Sequence, residues 1–310
     1  MASTAATFIP NHFRDAFSTN WDMAAQQVGK RLEQYCTVEN FVGERKRFNR
    51  FSKRANLTVK EGRATPTKVR DQESDLRWLD TELFDDAVHI DEYDDEFLAD
   101  ITSPKSGVIA SMKAACDRTA DKKILDSIFA GVYVGKLGTG SPVTFSASKE
   151  IAATFFYGTD GYTPGTPGSP ATNLALTMDK IREGKTLLGS AEALGNDRPV
   201  LACRYKDMNA LWGQLSRTNL DYSLPDVFSV DLLEKIIGVK FLQTEQINIT
   251  SGVADLPMWI PSGVKVHAGQ WNSYMDILPE RSHALQLRMT GRIGALRYDD
   301  DRVIKIKVAA

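Results

Sequence analysis

The residues best able to do chemistry are four histidines (His12, His89, His267, His283), three cysteines (Cys36, Cys116, Cys203) and a glycine-rich stretch at 131–140. Gly135-Lys136 suggests a phosphate cradle, but its distance from Gly131 is one residue short of that pattern. Leu137 also stands where a magnesium-binding hydroxyl is required. Gly138-Thr139-Gly140 lacks the third glycine of a dinucleotide fingerprint, and Pro142 follows at once. No GxSxG elbow or HExxH helix occurs. His89 with Asp91 and Asp94 offers an imidazole beside carboxylates, yet one histidine next to an acidic run reads as a solvated or partner-facing strip. No catalytic residue, metal site or cofactor is assigned, and the chain is expected not to be an enzyme.

The elements that would have to position such residues belong to an ordinary globular chain. Its 310 residues, 42% apolar and 25% charged, suffice for one large domain or two modest ones. No run of eighteen apolar residues is present, so no membrane helix is expected. The start, Met-Ala-Ser-Thr-Ala-Ala-Thr-Phe-Ile-Pro, has neither the basic region nor the apolar stretch of a signal peptide, which predicts a protein made and kept in a cytosol. Three widely spaced cysteines frame neither a disulfide scaffold nor a CxxC site and are expected reduced.

Charge is distributed in blocks. From Gly43 to Arg70 ten basic residues face Glu44 and Glu61, a balance of +8; from Asp71 to Asp100 thirteen acidic residues face Arg77 alone, a balance of −12. The basic block is poor in core formers and carries Glu61-Gly62 as a turn, so it predicts an extended two-stranded arm. A lone polar hairpin is marginal in water and needs another surface. Its cations suggest either such a protein surface or nucleic acid, although no stacking or helix-turn-helix motif accompanies them.

Apolar periodicity predicts an N-terminal amphipathic helix from Asn11 to Tyr35. It also predicts a long helix from Ser103-Pro104 to Gly131 with Ile109, Met112, Cys116, Ile124 and Ile128 on its buried stripe. Residues 158–170 read as a Gly/Thr/Pro loop, and helices are expected over Asn173–Leu194 and Tyr205–Thr218. Strands are expected at Arg198–Arg204, Ile236–Ile249 and Val264–Ala268. Leu285, Leu287 and Met289, then Ile304, Ile306 and Val308, alternate with polar residues around an Asp299-Asp300-Asp301 turn, predicting antiparallel closing strands.

This order of parts, an α+β chain, resembles tailed-bacteriophage major capsid proteins of the Hong Kong 97-type fold. The likeness runs from about Phe41 to the end and is carried by Arg47-Phe48-Asn49-Arg50-Phe51, Asp85-Asp86-Ala87-Val88-His89-Ile90-Asp91, the Asp121-Lys122-Lys123-Ile124-Leu125 helix core, and Gly291-Arg292-Ile293-Gly294-Ala295-Leu296-Arg297. The resemblance implies an N-terminal arm (1–40), an extended loop (41–85), a peripheral domain (86–172 and 276–310) with a spine helix at about 104–130, and an axial domain (173–275). It implies self-assembly through hexamers and pentamers into an icosahedral shell around double-stranded DNA bound without sequence specificity. A separate scaffolding protein, a portal, possible decoration proteins, no membrane, and assembly in the host cytoplasm into a virion capsid are further expectations. On this view Arg45, Arg47, Arg50, Lys53, Arg54, Lys60 and Arg63 of the loop would contact a neighbouring subunit, whose Asp91, Glu92, Asp94, Asp95 and Glu96 form an acidic strip. The alternatives are a basic-arm nucleic-acid-binding protein and a cellular shell of the same fold that packages cargo protein.

Overall fold

A computed structural model describes residues 26–57, 59–60, 62–63, 66, 69–90, 105–157, 173–195, 197–218, 234–235, 237–281 and 283–310. The chain divides into two compact units, one of residues 1–29, 85–117 and 271–290, the other of 30–84, 118–270 and 291–310.

The larger unit is built on a mixed sheet. In order across the sheet stand β5 (Glu150–Ile151), β13 (Val303–Ala309), β9 (Val253–Trp259), β6 (Val200–Cys203) and β7 (Lys240–Gln243), with β8 (Ile249–Thr250) also paired to β9. Alternation along these strands feeds two cores. Leu201, Cys203, Leu256, Met258, Ile304 and Ile306 pack with Ile181 and Leu188 of α2 (Met178–Ser190) and with Met208 and Leu211 of α3 (Tyr205–Thr218). Val200, Ala202, Trp259 and Val303 form the second core with Leu32 and with Ile124, Leu125 and Ile128 of α1 (Lys105–Phe129). A sheet covered on both faces accounts for the unbroken apolar run of β6.

α2 opens on Thr177, whose hydroxyl accepts from the Lys180 amide, and it carries a buried cation on its inner face. Lys180 Nζ donates to the carbonyls of Ala153 (2.8 Å), Leu174 (2.8 Å) and Lys307 (3.0 Å), so this ammonium ties three separate chain segments together.

In the same unit β1 (Thr37–Val38) pairs in parallel with β10 (Val264–Ala268), and β10 pairs with Ile293–Arg297 of β12 (Ala284–Arg297). A hairpin of β2 (Arg45–Phe51) and β3 (Ser74–Asp80) pairs antiparallel from Arg45↔Asp80 to Phe51↔Ser74. In the smaller unit β11 (Asn272–Leu278) pairs with Ala284–Thr290 of β12. Its core joins Ile90 of β4 (Glu82–Ile90) and Met112 and Cys116 of α1 to Leu287 and Met289.

Several sequence expectations are revised. Residues 26–35 hold no α-helix: Gly29 sits at φ +83°, and a short 3-10 turn covers Glu33–Tyr35. The amides of Arg31 and Leu32 donate instead to the buried Asp121 carboxylate of α1 at 3.0–3.2 Å, which replaces the bonds a helix would supply. The rest of that predicted helix, the 158–170 loop, and the Ser103-Pro104 cap lie outside the described residues.

The two closing strands do not pair with each other. β12 pairs with β11 through its first half and with β10 through its second, whereas β13 pairs with β9, so the Asp299–Asp301 turn carries the chain from one sheet to another. β9 is a central strand absent from the sequence prediction, and it contains Pro257, a residue disfavoured inside a sheet. Pro257 falls between the stretch paired with β8 (Val253–Ala254) and the stretch paired with β6 (Met258–Trp259), where no ladder bond has to be donated.

Candidate intersubunit surface

The basic arm has a fixed foot and an open outer half. In β2, Lys46, Phe48 and Arg50 turn inward, while Arg45, Arg47 and Phe51 turn outward. Phe48 and Leu79 are buried with Val132 and Leu296, so the foot rests on its own subunit. The closest approach is at Gly294, where an added Cβ would stand 2.5 Å from the Asp80 carbonyl oxygen and 2.8 Å from Leu79. Gly138, at φ +63°, similarly leaves room for the Trp78 indole.

Ion pairs complete the foot. Arg45 pairs with Asp80 across the hairpin at 2.5 Å and lies over the Trp78 and Tyr133 rings. Glu39 bridges Lys46 (3.0 Å) and Lys265 (3.1 Å); the hydrogen bonds from these two lysines hold its carboxyl below the usual range. Arg50 reaches Asp299 at 2.9 Å. Arg77, buried in β3, donates to both Asp300 oxygens (3.2 and 2.6 Å). Arg297, fully buried, donates to Asp300 at 2.6 Å and to the carbonyls of Ile128 and Ala130 at the end of α1, each at 2.9 Å. Burial would raise the Asp300 pKa, but hydrogen bonds and charge from Arg77 and Arg297 outweigh it and hold the carboxyl below the ordinary value.

The predicted contact residues therefore separate into groups. Arg45 and Arg50 are engaged within their own subunit. Lys53 meets Glu192 at 2.8 Å with both side chains about three-quarters exposed, and Arg54 donates to the Arg70 carbonyl at 3.4 Å. Arg47, Lys60 and Arg63 are exposed and have no partner among the described residues. Beside them Phe51, Leu57, Val59 and Val69 also stand exposed. The acidic strip Asp91, Glu92, Asp94, Asp95 and Glu96 lies outside the described residues. On the spine helix Met112, Cys116, Ile124 and Ile128 are buried, whereas Ile109 is 36% exposed and departs from the expected stripe.

Sequence periodicity missed the Arg77, Arg297 and Asp300 node because single charged residues inside apolar strands carry no repeat. The available signal was Asp299-Asp300-Asp301, a carboxylate run that in the fold receives Arg50 and Arg302 on Asp299, Arg77 and Arg297 on Asp300, and Lys149 on Asp301. Among the described residues no group of three or more His, Cys, Asp or Glu could hold a metal ion. All three cysteines are free and buried, and burial raises each thiol above its ordinary pKa, Cys36 to about 12.

A family model described as phage capsid protein matches residues 9–310. Among solved structures, the chain is similar to the capsid of Ralstonia phage GP4, at 10% identity and TM-score 0.67, over 100% of this chain and 98% of the other. It is similar to the cyanophage Pam1 capsid at 15% identity and TM-score 0.66, over 100% and 98%. A third likeness is to the capsid of cyanophage P-SCSP1u, at 12% identity and TM-score 0.64, over 96% and 92%. No curated protein sequence matched the chain.

Proposed function

Because this chain belongs to the phage capsid protein family and is a phage major capsid protein of the Hong Kong 97-type fold, we propose that it assembles through hexamers and pentamers into an icosahedral shell around double-stranded DNA. One observation carries the assembly reading: the hairpin is locked onto its own subunit at the foot, yet its outer half presents Leu57, Val59, Lys60 and Arg63 with nothing in the described chain to cover them. Covering those apolar groups is favourable, and a second subunit supplies the surface.

In this reading residues 1–40 are an N-terminal arm and 41–85 an extended loop. Residues 86–172 and 276–310 form the peripheral domain, and 173–275 the axial domain, into whose sheet β13 returns. Arg47, Lys60 and Arg63 meet acidic residues of a neighbour, with Asp91, Glu92, Asp94, Asp95 and Glu96 as the proposed strip. A separate scaffolding protein, a portal and decoration proteins are the proposed partners, and assembly takes place in the host cytoplasm. The protein works by copy number, and none of its residues performs turnover chemistry.

Electron microscopy of the purified chain, alone and co-expressed with its scaffold, tests this. Closed particles are expected; stable monomers under both conditions would refute it. Nucleic acid rather than cargo protein inside the particles separates a viral from a cellular shell.

A further inference from the structure

His267 of β10 is buried, and both of its ring nitrogens are engaged. Nδ1 lies 3.3 Å from the carbonyl oxygen of Glu39, and Nε2 lies 3.3 Å from Nη2 of Arg292 on β12. A carbonyl can only accept and a guanidinium can only donate, so Nδ1 carries the proton and Nε2 offers its lone pair. The contacts fix a neutral imidazole. Lys46 of β2 and Arg292 face it as cations, and Lys265 stands two residues before it on the same face of β10, against the one carboxylate of Glu39, which already holds both lysines. Burial keeps the imidazole below its ordinary pKa of 6.5; the bond to Glu39 opposes this, and the charges of Arg292 and Lys46 reinforce it.

What the imidazole touches is the stretch from Glu39 to Gly43, which joins β1 to the hairpin. Arg292 Nη2 also donates to the Phe41 carbonyl at 2.9 Å, and the Phe41 ring centre lies 4.5 Å from that of the imidazole. One guanidinium nitrogen therefore serves both His267 and Phe41. A proton on Nε2 takes away an acceptor and sets N–H against N–H, so Arg292 has to turn aside, and the Phe41 carbonyl loses its donor with it. Little else holds the stretch. The amides of Asn40, Phe41, Val42 and Gly43 make no hydrogen bond among the described residues, Val42 is fully exposed, and Gly43 at φ +119° supplies a pivot.

We infer that His267 is a pH-operated latch inside the subunit: neutral, it ties the Glu39–Gly43 connection to β10 and β12; protonated, it lets that connection go while the hairpin foot stays clamped. The foot stays because its carboxylates are harder to protonate. Glu39 is held below the usual range by Lys46 and Lys265, and Asp300 by Arg77 and Arg297, so mild acid acts on the imidazole first. The released imidazole regains its ordinary pKa, so each pH unit below 6.5 favours release by up to about tenfold until the held imidazole itself titrates. The latch lies within one subunit and does not depend on the shell reading. In a shell it would loosen the root of the N-terminal arm where that arm meets the extended loop.

Because the native cysteines are buried, a nitroxide attached to Val42→Cys in the full-length chain reads the connection. Between about pH 7 and about pH 5 its spectrum is expected to narrow, the mobile fraction rising by up to about tenfold per unit below 6.5. A label at Asn49→Cys, exposed on the hairpin foot, should keep its spectrum. In a His267→Gln background, whose amide takes up no proton, the Val42→Cys label should read the same at both pH values. An unchanged spectrum with His267 present, or equal narrowing in His267→Gln, would overturn the latch. So would equal narrowing at Asn49→Cys, which would mean that acid opens the foot as well. Should His267→Gln fail to fold, exchange of the imidazole C2 proton in the wild-type chain, followed by mass spectrometry, decides. A His267 midpoint below 6.5 supports the latch, and one at or above 6.5 overturns it.

Discussion

Arg77 donates to the main-chain carbonyl of Arg297 at 3.0 Å, and both guanidiniums close on the carboxylate of Asp300. Arg77 belongs to the hairpin, and Arg297 caps the carbonyls at the end of α1, so this contact clamps the arm to the spine helix. The hairpin foot is thus part of the folded subunit.

Asp300→Asn removes the charge that two buried guanidiniums share. A loss of about 3–5 kcal/mol in the unassembled subunit is expected from urea or thermal melts at pH 7. The sign with pH follows from the lowered Asp300 pKa. Asp300 is more readily ionised folded than unfolded, so its stabilisation is fully present above the unfolded value near ~3.9 and is lost as pH falls through the folded one. The gap between wild type and Asp300→Asn should be constant from about pH 5 to 8 and shrink below about 4.

Lys180→Met leaves three carbonyls without their donor. We expect a loss of about 3 kcal/mol at pH 7, given that each unsatisfied buried acceptor costs about 1–3. Burial lowers the Lys180 pKa from 10.5 to about 8. Between those values the unfolded chain binds the proton and the folded chain does not, so this group makes stability rise with pH, by at most about 1.4 kcal/mol per unit. Melts of wild type and Lys180→Met from pH 7.5 to 10 check it: the rise should be missing in the variant.

Gly294→Ala puts a methyl against backbone at the crossing of β3 and β12, where neither strand has a flexible end to move aside. A loss of about 1–3 kcal/mol is expected, with the hairpin displaced and the Trp78 fluorescence environment altered. Unchanged melting would show that the hairpin foot shifts without cost.

The long helix, α3, the β10 strand and the final strand were legible because each repeats an apolar residue at its own period over several turns or pairs. Three kinds of feature were not. One is β9, which contains Pro257, a residue whose tolerance depends on which neighbour ends beside it. Gly29 and the buried Asp121 together replaced a predicted helix by a bend held through side-chain acceptance, a contact across 89 or 90 residues that no local pattern encodes. The partition of β12 and β13 into different sheets is likewise a matter of long-range pairing, for which an Asp-rich turn between alternating strands is a misleading signal. On the arm, charge density marked only the first strand of the hairpin, since β3 lies in the acidic block, and it did not tell Arg45 and Arg50, consumed by Asp80 and Asp299, from Arg47, Lys60 and Arg63, which are open.

That difference separates folding from assembly. Arg50→Glu sets a carboxylate against Asp299 in the foot and should destabilise the isolated subunit by about 1–2 kcal/mol, visible in melting. Arg47, Lys60 and Arg63 together changed to Glu touch no partner within the described chain, so circular dichroism and melting of the subunit should stay within about 0.5 kcal/mol of wild type. Individual surface pairs contribute about 0–1 kcal/mol, but a shell repeats each of them at every copy of the interface, so three reversed charges at one contact should abolish or misdirect particle formation. Partial rescue by changing Asp91, Glu92, Asp94 and Asp95 to Lys would place the acceptor strip on the neighbour. Normal particles from the triple variant would show that the arm docks through its apolar groups alone, and a destabilised triple variant would show that the outer half, too, belongs to the folded subunit.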